Sequence, residues 1–358
     1  MGLPEISIMF KGLAAKAIQR SKRGVVSIII RDTKAKSMIL NGVEEVPAPV
    51  AMEAKNIKFI NQIFDGGCRK VIVEVVAPEE LSGYKLQDTL TRLKVQVWNY
   101  LVYPEADNTE IASIVTFIKN ERDQRDKSFK AVVSSPVAPD HEGIIDFHAD
   151  NLKIVGQEES PTAQEYTPRI AGILAALPFT RSSTYYVLPE VESVDLVLDP
   201  NAEINKGKLI LINDGEKIKI ASGVNSLTTI VAPKTNAVKD IFIVEKMDFV
   251  KDDIKKVYHD EYIGKVVNNY NNKQLFVTNI NTYFKLLIRD YQFFDESDSN
   301  SVQVSALGNK YYLDQEGIDT SKMSEDELKR ANTGKKVFLE GSVKFTNTMS
   351  DLELILNM

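Results

Sequence analysis

Hydrophobic and polar positions along this chain follow two periods. From Gly24 to about Ile154, short apolar runs such as VVSIII and VIVEVV are separated by segments whose apolar residues recur every three or four positions. Runs of the first kind suit strands covered on both faces, and the spaced pattern suits helices packed on them. The predicted strands are Val25 to Arg31, Lys70 to Val76, Val97 to Tyr103, Phe129 to Ser134 and Ile144 to Phe147. The predicted helices are Asn56 to Phe64, Leu86 to Lys94 and Asn108 to Asp126, the last opening on Asp107 and Glu110 at capping-box spacing. Residues 24–155 therefore read as a mostly parallel α/β layer.

Residues 156–216 read as a β-rich connector. Gly156 to Pro168 is polar and predicts a loop, and a short helix from Thr167 to Ala176 is expected to begin near Pro168. Tyr185 to Asp199 and Lys208 to Ile220 read as strands, the second broken by a turn at Asn213 to Gly215. Residues 217–335 form the predicted C-terminal core. It opens as a strand at Ile218 and Ile220 and continues as two amphipathic helices joined at Gly264. The first carries Ile243, Met247, Val250, Ile254, Val257 and Tyr258 on one stripe. The second carries Phe276, Ile280, Tyr283, Phe284, Leu287, Ile288 and Tyr291. An acidic loop, DESDSNS, follows, then mixed strand character from Val302 to Leu313 and a polar segment with Ser324 and Glu327 spaced as a capping box. The fold class is α+β / α/β multidomain, with a two-helix-plus-sheet C-terminal core and extended terminal strand arms.

The two ends share a feature. Ile6, Ile8 and Phe10 alternate with Glu5, Ser7 and Met9, and Gly12 and a basic stretch to Arg23 separate them from the first buried strand. Residues 336–358 are strand-like, and Leu352, Leu354, Leu356 and Met358 alternate to the last residue. A detached strand needs a sheet edge to satisfy its backbone. Pairing within the same subunit and strand addition to a neighbour both meet that need, and the second, repeated without closure, builds a filament or tube.

Composition narrows the function classes. The 358 residues are 43% hydrophobic and carry a formal charge of -6, with acidic and basic residues interspersed, so there is no electrostatic footprint for nucleic acid. The one cysteine, Cys68, excludes an internal disulfide framework. No long uncharged apolar run predicts a membrane span, and the N-terminus lacks the order of a signal peptide, so synthesis in a cytoplasm is expected.

Candidate chemistry is sparse. His141 and His148 stand among Asp140, Glu142, Asp146 and Asp150, but their spacing fits no common metal signature. Asp295, Asp298 and Asn300 superficially match a calcium loop without its terminal glutamate. Gly66 and Gly67 read as a helix C-cap, and Gly264-Lys265 and Gly334-Lys335 lack the rest of a P-loop. No catalytic, cofactor-binding or metal-binding residue is assigned. An α/β enzyme with a pocket at the strand ends and a surface-layer or shell component remain as rival readings.

The ordered combination SGVNSLTT, KDIFIVEKMDFVKDDI and YIGKVVNN, with RIAGILAALPFTRSSTY upstream from Arg169 to Tyr185, resembles contractile tail sheath proteins of phages and headless phage-tail bacteriocins, most closely the short Gram-positive form. The resemblance covers the central and C-terminal parts and the N-terminal half in outline. It implies a structural subunit stacked as hexameric rings around an inner tail tube, with baseplate and tail terminator proteins as further partners, no nucleic acid and no membrane insertion. Contraction would drive the tube through the target envelope without a nucleotide. The particle would be assembled in a bacterial cytoplasm and released. Exchanged arms bearing Ile6, Ile8, Phe10, Leu352, Leu354 and Leu356 would join subunits, and Gly12, Gly24 and Gly334 would serve as hinges. Lys251, Lys255 and Lys256, set among acids on one helix face, would meet the tube through salt-sensitive contacts.

Overall fold

A computed structural model describes residues 24–76 and 86–354. The segment with Ile6, Ile8, Phe10 and Gly12, and also Leu356, lie outside them. The described residues form two compact units, one holding those up to Glu245 and those from Thr348, the other Lys246–Asn347.

The first unit is built on β1 (Val25–Arg31), β2 (Met38–Leu40), β3 (Lys70–Val76), β4 (Tyr100–Val102), β5 (Lys130–Val133) and β6 (Ile144–His148), with β9 (Lys208–Asn213) and β10 (Ile218–Ile220). They form one eight-stranded sheet in the order β10-β9-β6-β5-β4-β1-β3-β2. The inner strands run parallel; β2 and β10 are antiparallel edges. Alternate residues of β1 face opposite ways, so Val26, Ile28 and Ile30 enter one core and Ile29 the other. On the first face lie α1 (Ala54–Asp65) and α4 (Ala163–Ala176). On the second lie α2 (Leu86–Leu93) and α3 (Asn108–Asp123). The α1–α4 crossing is held close by two glycines. A Cβ on Gly172 would stand 2.3 Å from the Ile63 carbonyl oxygen, and one on Gly66 would stand 2.3 Å from the Gly172 carbonyl carbon.

The structure corrects several expectations. The helix expected from Thr167 begins at Ala163, because Thr162 and Glu165 form a capping box. Pro168 sits inside it, and the Gln164 carbonyl that the proline cannot reach as donor accepts from Thr167 Oγ1 at 2.7 Å. The strand expected over Tyr185 to Asp199 shrinks to β8 (Val191–Ser193), paired with β7 (Lys153–Ile154). Tyr185 has φ 56 and Pro189 offers no N–H, and both interrupt a ladder. β9 and β10 complete one end of the main sheet, so the strand at Ile218 and Ile220 extends the α/β layer and does not open the C-terminal core. A short α5 (Pro200–Asn205) precedes β9.

The division between units falls inside α6 (Ile241–Val257). In the second unit the helix runs on into a π-helical turn, Tyr258–Tyr262, and Gly264 at φ +74 reverses the chain. α7 (Tyr270–Tyr291) opens on Asn269, which accepts from the Asn272 N–H, and ends on left-handed Gln292. Of the predicted stripe of α7, Phe276, Ile280, Tyr283, Phe284 and Leu287 are buried, and Ile288 and Tyr291 are half-buried. The mixed segment from Val302 resolves into β11 (Ser301–Val304) and α8 (Ala306–Gln315), separated by the cap Ser305. α9 (Glu325–Arg330) carries the predicted Ser324–Glu327 box. β12 (Leu339–Ser342) pairs antiparallel with β11, so the first part of the expected C-terminal arm has a partner within its own unit.

Candidate assembly surfaces

The small β11–β12 sheet has two unlike edges. Ser305 N donates to Phe338 O, and Val302 stands opposite Gly341, so Val302 turns its N–H and carbonyl away from β12. Asn281 of α7 closes that edge: its Oδ1 accepts from Val302 N at 2.8 Å and its Nδ2 donates to Val302 O at 3.0 Å. The other edge is unpaired among the described residues. By the same register Leu339 and Gly341 turn their backbone groups outward, Gly341 is exposed, and neither residue's outward groups have a partner among the described residues. An unpaired edge is a template for another strand.

The C-terminal tail pairs with no strand among the described residues. Residues 351–354 form no strand, and Leu352 and Leu354 are 89% and 69% exposed. Leaving two leucines in water is unfavourable unless another surface covers them.

The three lysines of α6 project among acids. Lys251 Nζ lies 3.6 Å from Asp248 Oδ1, and Lys256 Nζ lies 2.8 Å from Asp260 Oδ2. The hydrogen bond from Lys256 holds the Asp260 carboxyl below its ordinary value. Lys255 is half-buried. These are the mixed-charge contacts of a helix face, weak in water and weakened further by salt.

The two described hinge residues are firmly held. Gly24 N donates to Ala175 O, its carbonyl accepts from Arg69 N, and a Cβ there would meet Ala175 O at 2.1 Å. Gly334 at φ +57 sits in a turn where its N–H donates to Asn332 Oδ1 and its carbonyl accepts from Asn268 Nδ2. Thr333 Oγ1 donates to the Lys336 carbonyl in the same turn. Neither geometry is that of a free swivel.

The candidate chemical groups are accounted for by local bonding. Asp123, His141 and Glu142 bring one ligand atom each within 4.8 Å of one another. Yet His141 Nδ1 accepts from Gly143 N at 3.0 Å, which places the ring proton on Nε2, 3.3 Å from Asp123 Oδ1. A protonated Nε2 is not a metal ligand. Burial lowers the His141 pKa, against the pull of Glu142 and Asp123. Asp140 lies apart from the ring and binds Thr228 N, Thr228 Oγ1 and Thr229 N. His148 pairs with Asp146 at 3.0 Å. In the acidic loop Lys344 bridges Asp295 and Asp298. Cys68 donates to Gly24 O, and burial pushes its thiol up to about 11.

In a sheet of this topology ligands bind beyond the carboxyl ends of strands at the point where strand order reverses, here between β1 and β4. That position is filled. Arg31 forks onto Glu110 at 2.8 and 2.7 Å and donates to the Tyr103 hydroxyl at 2.7 Å, while Lys55 pairs with Glu105 at 2.6 Å.

No protein-family model matches the chain. A tail sheath protein of Clostridium phage phiCD119 is 36% identical over 364 residues, covering 100% of this chain and 99% of the relative. The chain belongs to the tail sheath protein family. Solved sheath proteins share the fold: that of Listeria innocua aligns with a TM-score of 0.70 at 14% identity, over 96% of this chain and 99% of its own. The sheath tail protein of Desulfitobacterium hafniense gives a TM-score of 0.67 at 14% identity, over 80% of this chain and 90% of its own. The helical sheath of the anti-feeding prophage in its contracted state gives 0.66 at 12% identity, over 94% and 93%. This sheath subunit thus has a structural role.

Sequence reasoning missed Asn281 and the asymmetry of the small sheet. The available signal was composition: Asn279 and Asn281 are poor helix formers placed within an apolar helix, where their amides must serve other groups.

Proposed function

We propose that this sheath subunit polymerises as a helical tube of stacked hexameric rings around an inner tail tube, joined to a baseplate and a terminator, and that contraction drives the tube through a cell envelope. The subunit performs no catalysis, and the energy is stored in the lattice at assembly. The carrying observation is the pairing of an open acceptor edge at Leu339 and Gly341 with a tail whose Leu352 and Leu354 are exposed. The tail of one copy, with Leu356, extends the sheet of the next, and the Ile6, Ile8 and Phe10 segment acts as the second arm. The N-terminal pivot lies before Gly24, at Gly12 and the residues after it. The C-terminal pivot lies after Asn347, since the Asn332–Lys336 turn is tied by side chains. Lys251, Lys255 and Lys256 face the tube, where weak ionic contacts allow release. The particle is assembled in a bacterial cytoplasm.

Negative-stain electron microscopy of the full chain, alone and with tail tube and baseplate proteins, tests this reading. Hollow helical tubes are expected, and a chain truncated after Thr348 should give none. Monomers from the full chain under every condition would overturn it. For the lysines, replacing all three by Gln should weaken tube attachment while leaving sheath polymer intact; unchanged attachment would remove them from that role.

A further inference from the structure

In the first unit, α2 and α3 leave a cleft of about 420 Å³ between them. Gln87, Thr109, Ser113, Thr116, Asn120 and Gln124 line it, all exposed and each carrying an amide or a hydroxyl without a charge. Ser113 Oγ donates to Thr109 O at 2.9 Å and Thr116 Oγ1 donates to Ala112 O at 2.8 Å. Each hydroxyl hydrogen is thus spent on its own helix, and the oxygen is left as an acceptor.

The same cleft holds a charged group with an unmet bond. Glu121 lines it and is 1% exposed. Its Oε1 takes Arg125 at 2.9 Å and Lys94 at 3.2 Å, whereas its buried Oε2 has no donor among the described residues. A carboxylate oxygen left so is costly, and a ligand that brings a donor is favoured. The Arg125 side chain is 55% exposed and can turn aside to admit one.

The chemistry of the lining narrows what fits. Phosphate or nucleic acid would set negative charge against Glu121, and a cation would meet Lys94 and Arg125. A peptide's apolar side chain finds little to bury against, since Ala112 and Phe117 are the apolar residues of the lining and Phe117 is 6% exposed. A neutral ring with adjacent hydroxyls meets every requirement, because each hydroxyl both donates and accepts.

We propose that the α2–α3 cleft binds a neutral saccharide. Its hydroxyls donate to Glu121 Oε2 and to the Ser113 and Thr116 oxygens, and they accept from Lys94, Arg125 and the amides of Asn120 and Gln124. All these residues belong to one unit of one copy, so the inference stands apart from the polymer reading.

Saturation-transfer NMR on the full chain tests it, with maltotetraose, cellotetraose and chitotetraose as probes at millimolar concentration. Transfer to at least one of these sugars is expected. Its apparent affinity should fall about tenfold in Ser113→Trp, which fills the cleft from an exposed position, and in the pair Asn120→Ala and Gln124→Ala, which removes exposed amides. Inorganic phosphate should not compete. No transfer to any of the sugars overturns the proposal, as does transfer that survives both sets of substitutions in chains of unchanged melting temperature. Phosphate that displaces the sugar would make the cleft an anion site and overturn it as well.

Discussion

The two units of the subunit solve the same packing problem by different means. In the eight-stranded unit the cores on the two faces of the sheet are mostly aliphatic, and buried polar side chains such as Asp32, Asn56 and Asp146 bond to one another or to nearby backbone groups. In the Lys246–Asn347 unit the core is aromatic, with Phe249 and Phe293 centroids 5.6 Å apart and Phe284 edge-on to Phe294 at 5.1 Å. It is also fixed by buried charged and polar side chains. Lys246 is 2% exposed and donates to Thr346 O and Oγ1 at 2.9 Å, and Tyr283 donates to the fully buried Asp253 at 2.8 Å. An aliphatic core is set by volume and alternation; a polar-pinned core is set by individual partners, because each unmade bond in the interior is costly.

That contrast predicts opposite sensitivities. The largest effect is expected from Gly172→Leu, which forces α1 and α4 apart at the Ile63 carbonyl and should cost about 3 kcal/mol or more, read by chemical denaturation. Tyr283→Phe changes almost no volume, yet removes the Asp253 hydrogen bond; a loss of about 1–3 kcal/mol is expected. Hydrogen exchange should place that loss in α6 and α7 and spare the β1 amides. Equal loss of protection in both units would end the distinction. Thr162→Ala removes the α4 cap and should cost about 1 kcal/mol, seen as a lower melting temperature.

The smallest effect concerns pH. His141 in the folded chain has a pKa below its ordinary 6.5, so the unfolded chain takes up the proton more readily. Its contribution is complete above 6.5 and is lost as pH falls from there through the lowered folded value. His141→Gln should flatten the slope of melting temperature against pH in that window, and an unchanged slope would assign it to other groups.

Much of the first unit was legible in sequence because its rules are local. VVSIII, the Asp107–Glu110 box and the Asn213–Gly215 turn each carry their own instruction, and each stands where it was read. The start of α4 was not legible, because Pro168 points to a helix start unless Thr167 Oγ1 is known to occupy the vacated carbonyl. In the second unit the helices were visible as stripes, but their polar partners were not. Lys273 reads as one more lysine of a helix, and only the tertiary structure buries it against Thr333, sixty positions away. Asn281 binds a strand 21 residues downstream, a separation that no periodicity reports. The surfaces assigned to assembly are of this second kind, whereas the family was visible in ordered local segments.

The Asn281 amide has a consequence for growth. With Val302 occupied on one side, and Leu339 and Gly341 unpaired among the described residues on the other, the small sheet presents one edge rather than two. A strand arriving at the β11 side would first have to displace the Asn281 amide from Val302. Under the proposed addition at β12, every junction between copies has the same sense, and one side-chain amide helps to give the chain its polarity.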